Sequence, residues 1–204
     1  MPLEVLSTAA TLFTAVVIGA TAVAAMVQLR HLRTGNDIAA MLNIGEHFSG
    51  DEFKRAEYPV VHKLTPAMSD PSFQEYLRAF VRDPAPPEVS RDFVDLRTAA
   101  VLIGNTYEEL GILVKAGIVN KALFLDRYNV VIVRTWNRLA DFTAFARDVS
   151  ADPAIWENFE YITVLAEDWR REHPSSYPHG VRRLDVRNRW PIRPASREPT
   201  GSRG

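Results

Sequence analysis

From Val5 to Leu29 the chain runs for 25 residues without a formal charge, and this stretch constrains the fold more than any other. As a helix it would reach roughly 37 Å at about 1.5 Å per residue, against a bilayer core about 30 Å thick. Its composition is soft: seven alanines and four threonines, with Ser7, Gly19 and Gln28, dilute the large apolar residues. A cleaved secretory signal needs a basic start and a shorter apolar core, whereas residues 1–4, Met-Pro-Leu-Glu, carry an acid and no base. A helix on the surface of a soluble domain needs a polar face, and Ser7–Val27 offers only scattered threonines. The run is therefore expected to be a transmembrane helix over about residues 6–28.

Cations follow the run and none precedes it: Arg30 and Arg33 flank His31 just beyond Leu29. The positive-inside bias then predicts a single span in the cell membrane, with the N-terminus outside and the rest cytoplasmic. Thr11, Ala15 and Gly19 form a small-xxx-small ladder, which offers a route to a homodimer.

At 204 residues the chain suits one domain with appendages. Three zones follow from charge: a membrane anchor over 1–33, net +1; a helical domain over 34–173, net −7; and a basic tail over 174–204, net +5. There is no cysteine, which excludes disulfides, thiolate metal sites and cysteine nucleophiles.

Within 34–173 the signals are helical. Residues 36–48 continue or closely follow the membrane helix. Ser49 and Glu52 have the spacing of a capping box, with Phe48 and Phe53 as its hydrophobic staple, so a helix should start at Gly50 or Asp51. Pro59 should kink or end it. Asp70-Pro71 predicts an N-cap and first helical residue, and "DPAPPE" at 83–88 is a rigid connector. The longest run, Val89–Ala116, carries Phe93, Leu96, Ala100, Ile103, Tyr107, Leu110 and Val114 at helical steps, with Gly117 placed as a left-handed cap. Asn120 opens a further helical region with a candidate break at Asp126–Asn129. Asp152-Pro153 should begin the last helix, whose stripe is Ile155, Phe159, Ile162, Leu165 and Trp169, and Pro174 should stop it. Sustained period-two alternation is absent from the sequence. The expected fold is all-α: an N-terminal transmembrane helix followed by an antiparallel bundle of five to six helices.

Signatures of chemistry are missing from the sequence: it has no GxxxxGK[ST], GxGxxG, GxSxG or HExxH. None of His31, His47, His62, His173 and His179 has a Glu three residues before it, which removes the di-iron carboxylate pattern. No catalytic residue, metal site or cofactor is therefore expected. The pocket candidates are Tyr107, Glu108, Glu109 and Arg134. Glu108 and Glu109 point about 100° apart on a helix, however, and a solvated surface accounts for them. Trp136, Trp156 and Trp169 are candidates for lining a ligand pocket, with packing in the core the stronger expectation. Gly104 and Gly111 suit helix crossings. The tail from Pro174, rich in Pro, Gly, Ser and Arg, is expected to be disordered. Its Arg182, Arg183, Arg187, Arg189, Trp190 and Arg193 are candidates for contact with anionic lipid or a partner.

The order of "VQLRHLR", "GEHFSGDEFKRA", "NTYEELGILVKAGIVN", "VIVRTWNRL" and "WENFEYITVLAEDWR" resembles an uncharacterised bacterial family, a domain of unknown function with one N-terminal transmembrane helix and an α-helical body. The resemblance covers roughly residues 10–171 and is most specific around Tyr107–Gly117, Trp136 and Phe159–Trp169. It implies an anchored helical protein and supplies no activity. The functional expectation is a non-enzymatic, membrane-anchored interaction or regulatory module with a protein partner. The alternative is an enzyme or small-ligand sensor with a pocket between helices. Nucleic acid is not expected, because the acidic body opposes a polyanion.

Overall fold

The computed structural model describes residues 3–82, 89–188 and 190. The connector at 83–88, Arg189 and Arg193 lie outside them. Seven helices, and no strand, occur among the described residues. The chain divides into two units, Met1–Pro174 and Ser175–Gly204.

The first helix, α1, spans Leu3–Ser49, 47 residues without a break, or about 70 Å at the α-helical rise. Proline is absent from it, and its three glycines, Gly19, Gly35 and Gly45, each cost only about 1 kcal/mol of propensity. The soft composition of its first half has a local solution. Thr11, Thr14 and Thr21 donate their hydroxyls to the carbonyls of Ser7, Ala10 and Val17, at 2.9, 2.8 and 2.8 Å, so these polar groups are satisfied within the helix itself. Leu12, Phe13, Val16, Ile18, Val23 and Met26 are exposed. Among the described residues one helix is thus long and apolar enough to cross a membrane, and none of its most apolar window is buried. Its C-terminal half joins the body: Ile44 is buried, with Ala40, Met41 and Phe48 packed beside it.

At the next boundary the capping box does not form. Ser49 still belongs to the last turn of α1 and donates to Gly45 O at 2.8 Å, so Gly50 becomes the cap of α2, Asp51–His62, without a side-chain bond. The Phe48–Phe53 contact does form, with ring centroids 4.9 Å apart. Pro59 sits inside α2, which continues to His62; the break comes when Lys63 N–H donates to Pro59 O at 2.8 Å. After α3, Leu64–Met68, comes α4, Pro71–Arg82, capped as expected by Asp70 Oδ1, which accepts from Ser72 N at 2.8 Å.

Helix α5 spans Arg91–Lys115. It closes with Gly117 at φ +69° while Ile118 N–H reaches Leu113 O and Gly117 N–H reaches Val114 O, a Schellman cap. Asn120 caps α6, Lys121–Ser150, by accepting from Leu123 N at 3.2 Å. The candidate break is absent: α6 runs unbroken through Asp126–Asn129, where Asn129 Nδ2 donates to Leu125 O. The last helix, α7, spans Glu157–Glu172 and starts four residues later than the Asp152-Pro153 signal suggested. Asp152 Oδ1 accepts from Ala154 N at 2.9 Å, which makes a turn rather than a helix start.

The core lies where α5, α6 and α7 meet α2–α4. Phe73, Ala100, Phe124, Ile132, Leu139, Phe159 and Ile162 are fully buried, as is Leu64. Helix α5 crosses the start of α7 at its two glycines: a Cβ on Gly104 would overlap the Trp156 ring, and one on Gly111 would overlap the Asn158 backbone.

Candidate functional site

A cleft of about 220 Å³ lies between α4, α5, α6 and the 151–156 turn. Three helix faces build it. Leu77 and Phe80 come from α4, Phe142 and Ala146 from α6, each pair at a three- or four-residue step. From α5 come Arg97, Val101 and Asn105, at i, i+4 and i+8, on a face beside the fully buried stripe of Ala100, Ile103 and Tyr107. Trp156 and Ile155 close it from the turn.

Trp156 is held from several sides. Its backbone is left-handed, φ 56°, a region that costs a bulky residue of order 1–3 kcal/mol. The ring fits where Gly104 has no Cβ, stacks on Phe142 at 5.8 Å between centroids, and donates Nε1–H to Asn105 Oδ1 at 2.9 Å. The turn before it is tied down by Arg147, which donates Nε–H to Ile155 O at 3.0 Å and pairs with Glu160 at 2.8 Å.

The residue after Trp156 begins α7, and here Glu108 acts. One carboxylate oxygen accepts from the backbone N–H groups of Asn158 and Phe159 at 3.0 and 2.9 Å, the other from Asn158 Nδ2 at 2.6 Å. Lys115 Nζ donates to Asn158 Oδ1 at 3.2 Å, fixing which way that amide faces. Glu108 is therefore an anionic cap for α7, supplied from α5.

This separates the four residues picked out by sequence. Glu108 is half-buried and fully engaged, not merely solvated, while Glu109 and Arg134 are exposed. Tyr107 is buried among aromatic rings, stacked on Phe159 at 4.6 Å. Burial pushes its hydroxyl up to about 12, although Thr135, which donates to it at 3.3 Å, works in the opposite direction. None of the four lines the cleft. Trp156 is in the core as expected, and Trp136 and Trp169 pack half-buried against it. Of the residues that line the cleft, Trp156 stood among the sequence candidates for a pocket and the others did not; the signal for those was the Arg97–Val101–Asn105 stripe.

The polar side chains lining the cleft are Arg97 and Asn105, with the Trp156 indole N–H already used. Such a set can bind and orient. No group of three His, Asp or Glu side chains suited to a metal occurs among the described residues.

Two other regions carried expectations. Thr11, Ala15 and Gly19 lie exposed on α1. In the second unit, residues 175–188 are irregular and exposed. There Arg183 donates to Ser175 Oγ at 2.6 Å and lies over the Tyr177 ring, and Arg187 pairs with Asp185 at 3.4 Å. Arg182 and Trp190 are exposed.

A family model described as a domain of unknown function, DUF4760, matches residues 15–169. The chain belongs to the DUF4760 family. The match begins within the apolar half of α1 and ends near the close of α7, so the DUF4760 domain takes in both the membrane-capable helix and the whole cleft. This agrees with the resemblance drawn from roughly residues 10–171. No curated protein and no solved structure matches the chain.

Proposed function

We propose that this DUF4760 protein is a non-enzymatic, single-pass membrane-tethered module, its helical body held on the cytoplasmic face to engage a protein partner. One observation supports it above the rest. A single unbroken helix is apolar and exposed along its first half, then enters the core through Ile44 and Phe48. No hinge separates the two halves, so tilt or rotation of the span is passed directly to the packing of α2 and α6, where Phe48 meets Phe53 and Tyr128. Arg30 and Arg33, just past the apolar run, favour the cytoplasmic side for the body. The net positive tail would then share the cytoplasmic side with the anionic leaflet, and a basic residue that reaches such a surface contributes on the order of 1 kcal/mol.

Topology tests this. Because the chain has no cysteine, single cysteines at Pro2 and Ser175 can be probed separately on intact cells with an impermeant thiol reagent. Labelling at 2 and not at 175 is expected. Labelling at 175 and not at 2 would place the body outside and overturn the proposal, as would release of the protein from membranes at alkaline pH.

A further inference from the structure

Among the described residues that line the cleft there is a cation, Arg97, and no carboxylate. The Arg97 guanidinium lies over the Phe80 ring, Cζ 3.2 Å from its centroid. Partial burial lowers its pKa, but an arginine stays protonated. Among the described residues no carboxylate lies within ion-pair distance of it. Arg97 is only partly withdrawn from water, and lying over a ring occupies its face while leaving N–H groups at its edge for a planar, bidentate acceptor.

The rest of the cleft defines what that acceptor is attached to. Among the described residues lining it, Arg97 is the only charged side chain, which suits one negative charge rather than a phosphate dianion. Phe80, Phe142, Phe145 and Trp156 contribute four aromatic rings, and ring–ring contacts are worth more than the area they bury. A cavity of about 150 Å³ holds benzene, or about 25 Å³ per non-hydrogen atom, so 220 Å³ takes about nine. The strained Trp156 backbone sits in the cleft wall, as strain does at ligand clamps.

We propose that the cleft binds a small aryl carboxylate, its ring among Phe80, Phe142 and Trp156 and its carboxylate on the N–H edge of Arg97. Asn105 Nδ2, whose amide is oriented by the bond from Trp156, is a second donor in the lining. The site lies wholly within the body and does not depend on which side of a membrane the body occupies, so the topology experiment and this one fail independently.

The test uses the full chain in lipid nanodiscs, titrated calorimetrically with phenylacetate, its neutral isostere phenylacetamide, and hexanoate, with empty nanodiscs as the blank. Saturable one-to-one binding of phenylacetate is expected, at least tenfold tighter than phenylacetamide, since a hydrogen bond to a charged group is worth about that factor or more. Hexanoate should bind more weakly than phenylacetate. Arg97→Gln should remove the preference for acid over amide and leave amide binding unchanged, and Ala146→Leu, which fills the cleft, should abolish both. Equal affinity for acid and amide in the native chain would overturn the proposal even if neither variant folds. So would hexanoate binding more tightly than phenylacetate, an acid preference that survives Arg97→Gln, or no saturable uptake up to about 10 mM.

Discussion

Glu108→Ala is the substitution whose consequence follows most directly from the structure. Three accepted hydrogen bonds disappear, and with them the negative charge at the start of α7. A hydrogen bond to a charged group contributes about 1.5–3 kcal/mol, and an anion at a helix N-terminus a further 0.3–2 kcal/mol. The simple sum overshoots, because Glu108 is half-buried and water can enter to serve the freed N–H groups. A net loss of about 3 kcal/mol is the expectation. For a chain of this size each kcal/mol moves the melting temperature by about 2–4 °C, so the shift should be about 6–12 °C downward. Glu108→Gln should lose less, about 1 kcal/mol, since an amide oxygen can still accept from the two backbone N–H groups while its NH₂ meets Asn158 Nδ2. Asn158 cannot turn its amide to relieve that clash without giving up Lys115. Glu109 is the internal control: adjacent and exposed, its alanine variant should stay within about 0.5 kcal/mol of the parent. Helical ellipticity followed through thermal unfolding of the full chain in one detergent is a sufficient assay. Equal shifts for Glu108→Ala and Glu109→Ala would refute the capping role.

Two further outcomes follow. Gly111→Ala gains about 1 kcal/mol of helix propensity but drives a methyl into the Asn158 backbone; net destabilisation by about 1–3 kcal/mol is expected, and an unchanged or raised melting temperature would show that α5 and α7 do not approach so closely. Tyr107 carries a pH dependence: its hydroxyl is held up to about 12 by burial against about 10 when unfolded. The unfolded chain therefore ionises first, and this contribution is fully present below about pH 10 and lost as pH rises towards 12. At pH 11 the loss is about 1.4 kcal/mol. Tyr107→Phe should unfold with a shallower pH dependence between pH 9 and 11, and parallel profiles would contradict the assignment.

How much was legible beforehand depended on range. Where a signal and its target lie within one turn, the sequence was a good guide. Asp70 caps α4, Asn120 caps α6 and Gly117 closes α5, because each contact joins residues two to five apart. The long uncharged run and the all-α period are local in the same sense. The signals that misled were also local, and each was outcompeted. Ser49 found its own Gly45 carbonyl before it could cap α2. Asp152-Pro153 looked like a helix start, but Trp156 takes a left-handed turn to seat its ring against Gly104.

By itself the sequence determined the helical class, the membrane-capable helix, and most places where a helix opens or closes, because spacing and capping chemistry act between neighbours along the chain. Tertiary structure alone decided the role of Glu108, whose partners lie 50 residues away, and the existence of the cleft, which needs faces of three helices and a turn to converge. Whether a carboxylate is solvated or caps a distant helix, and whether an arginine on a helix flank meets water or an aromatic wall, depends on which surfaces the packing brings together, and no local pattern encodes that.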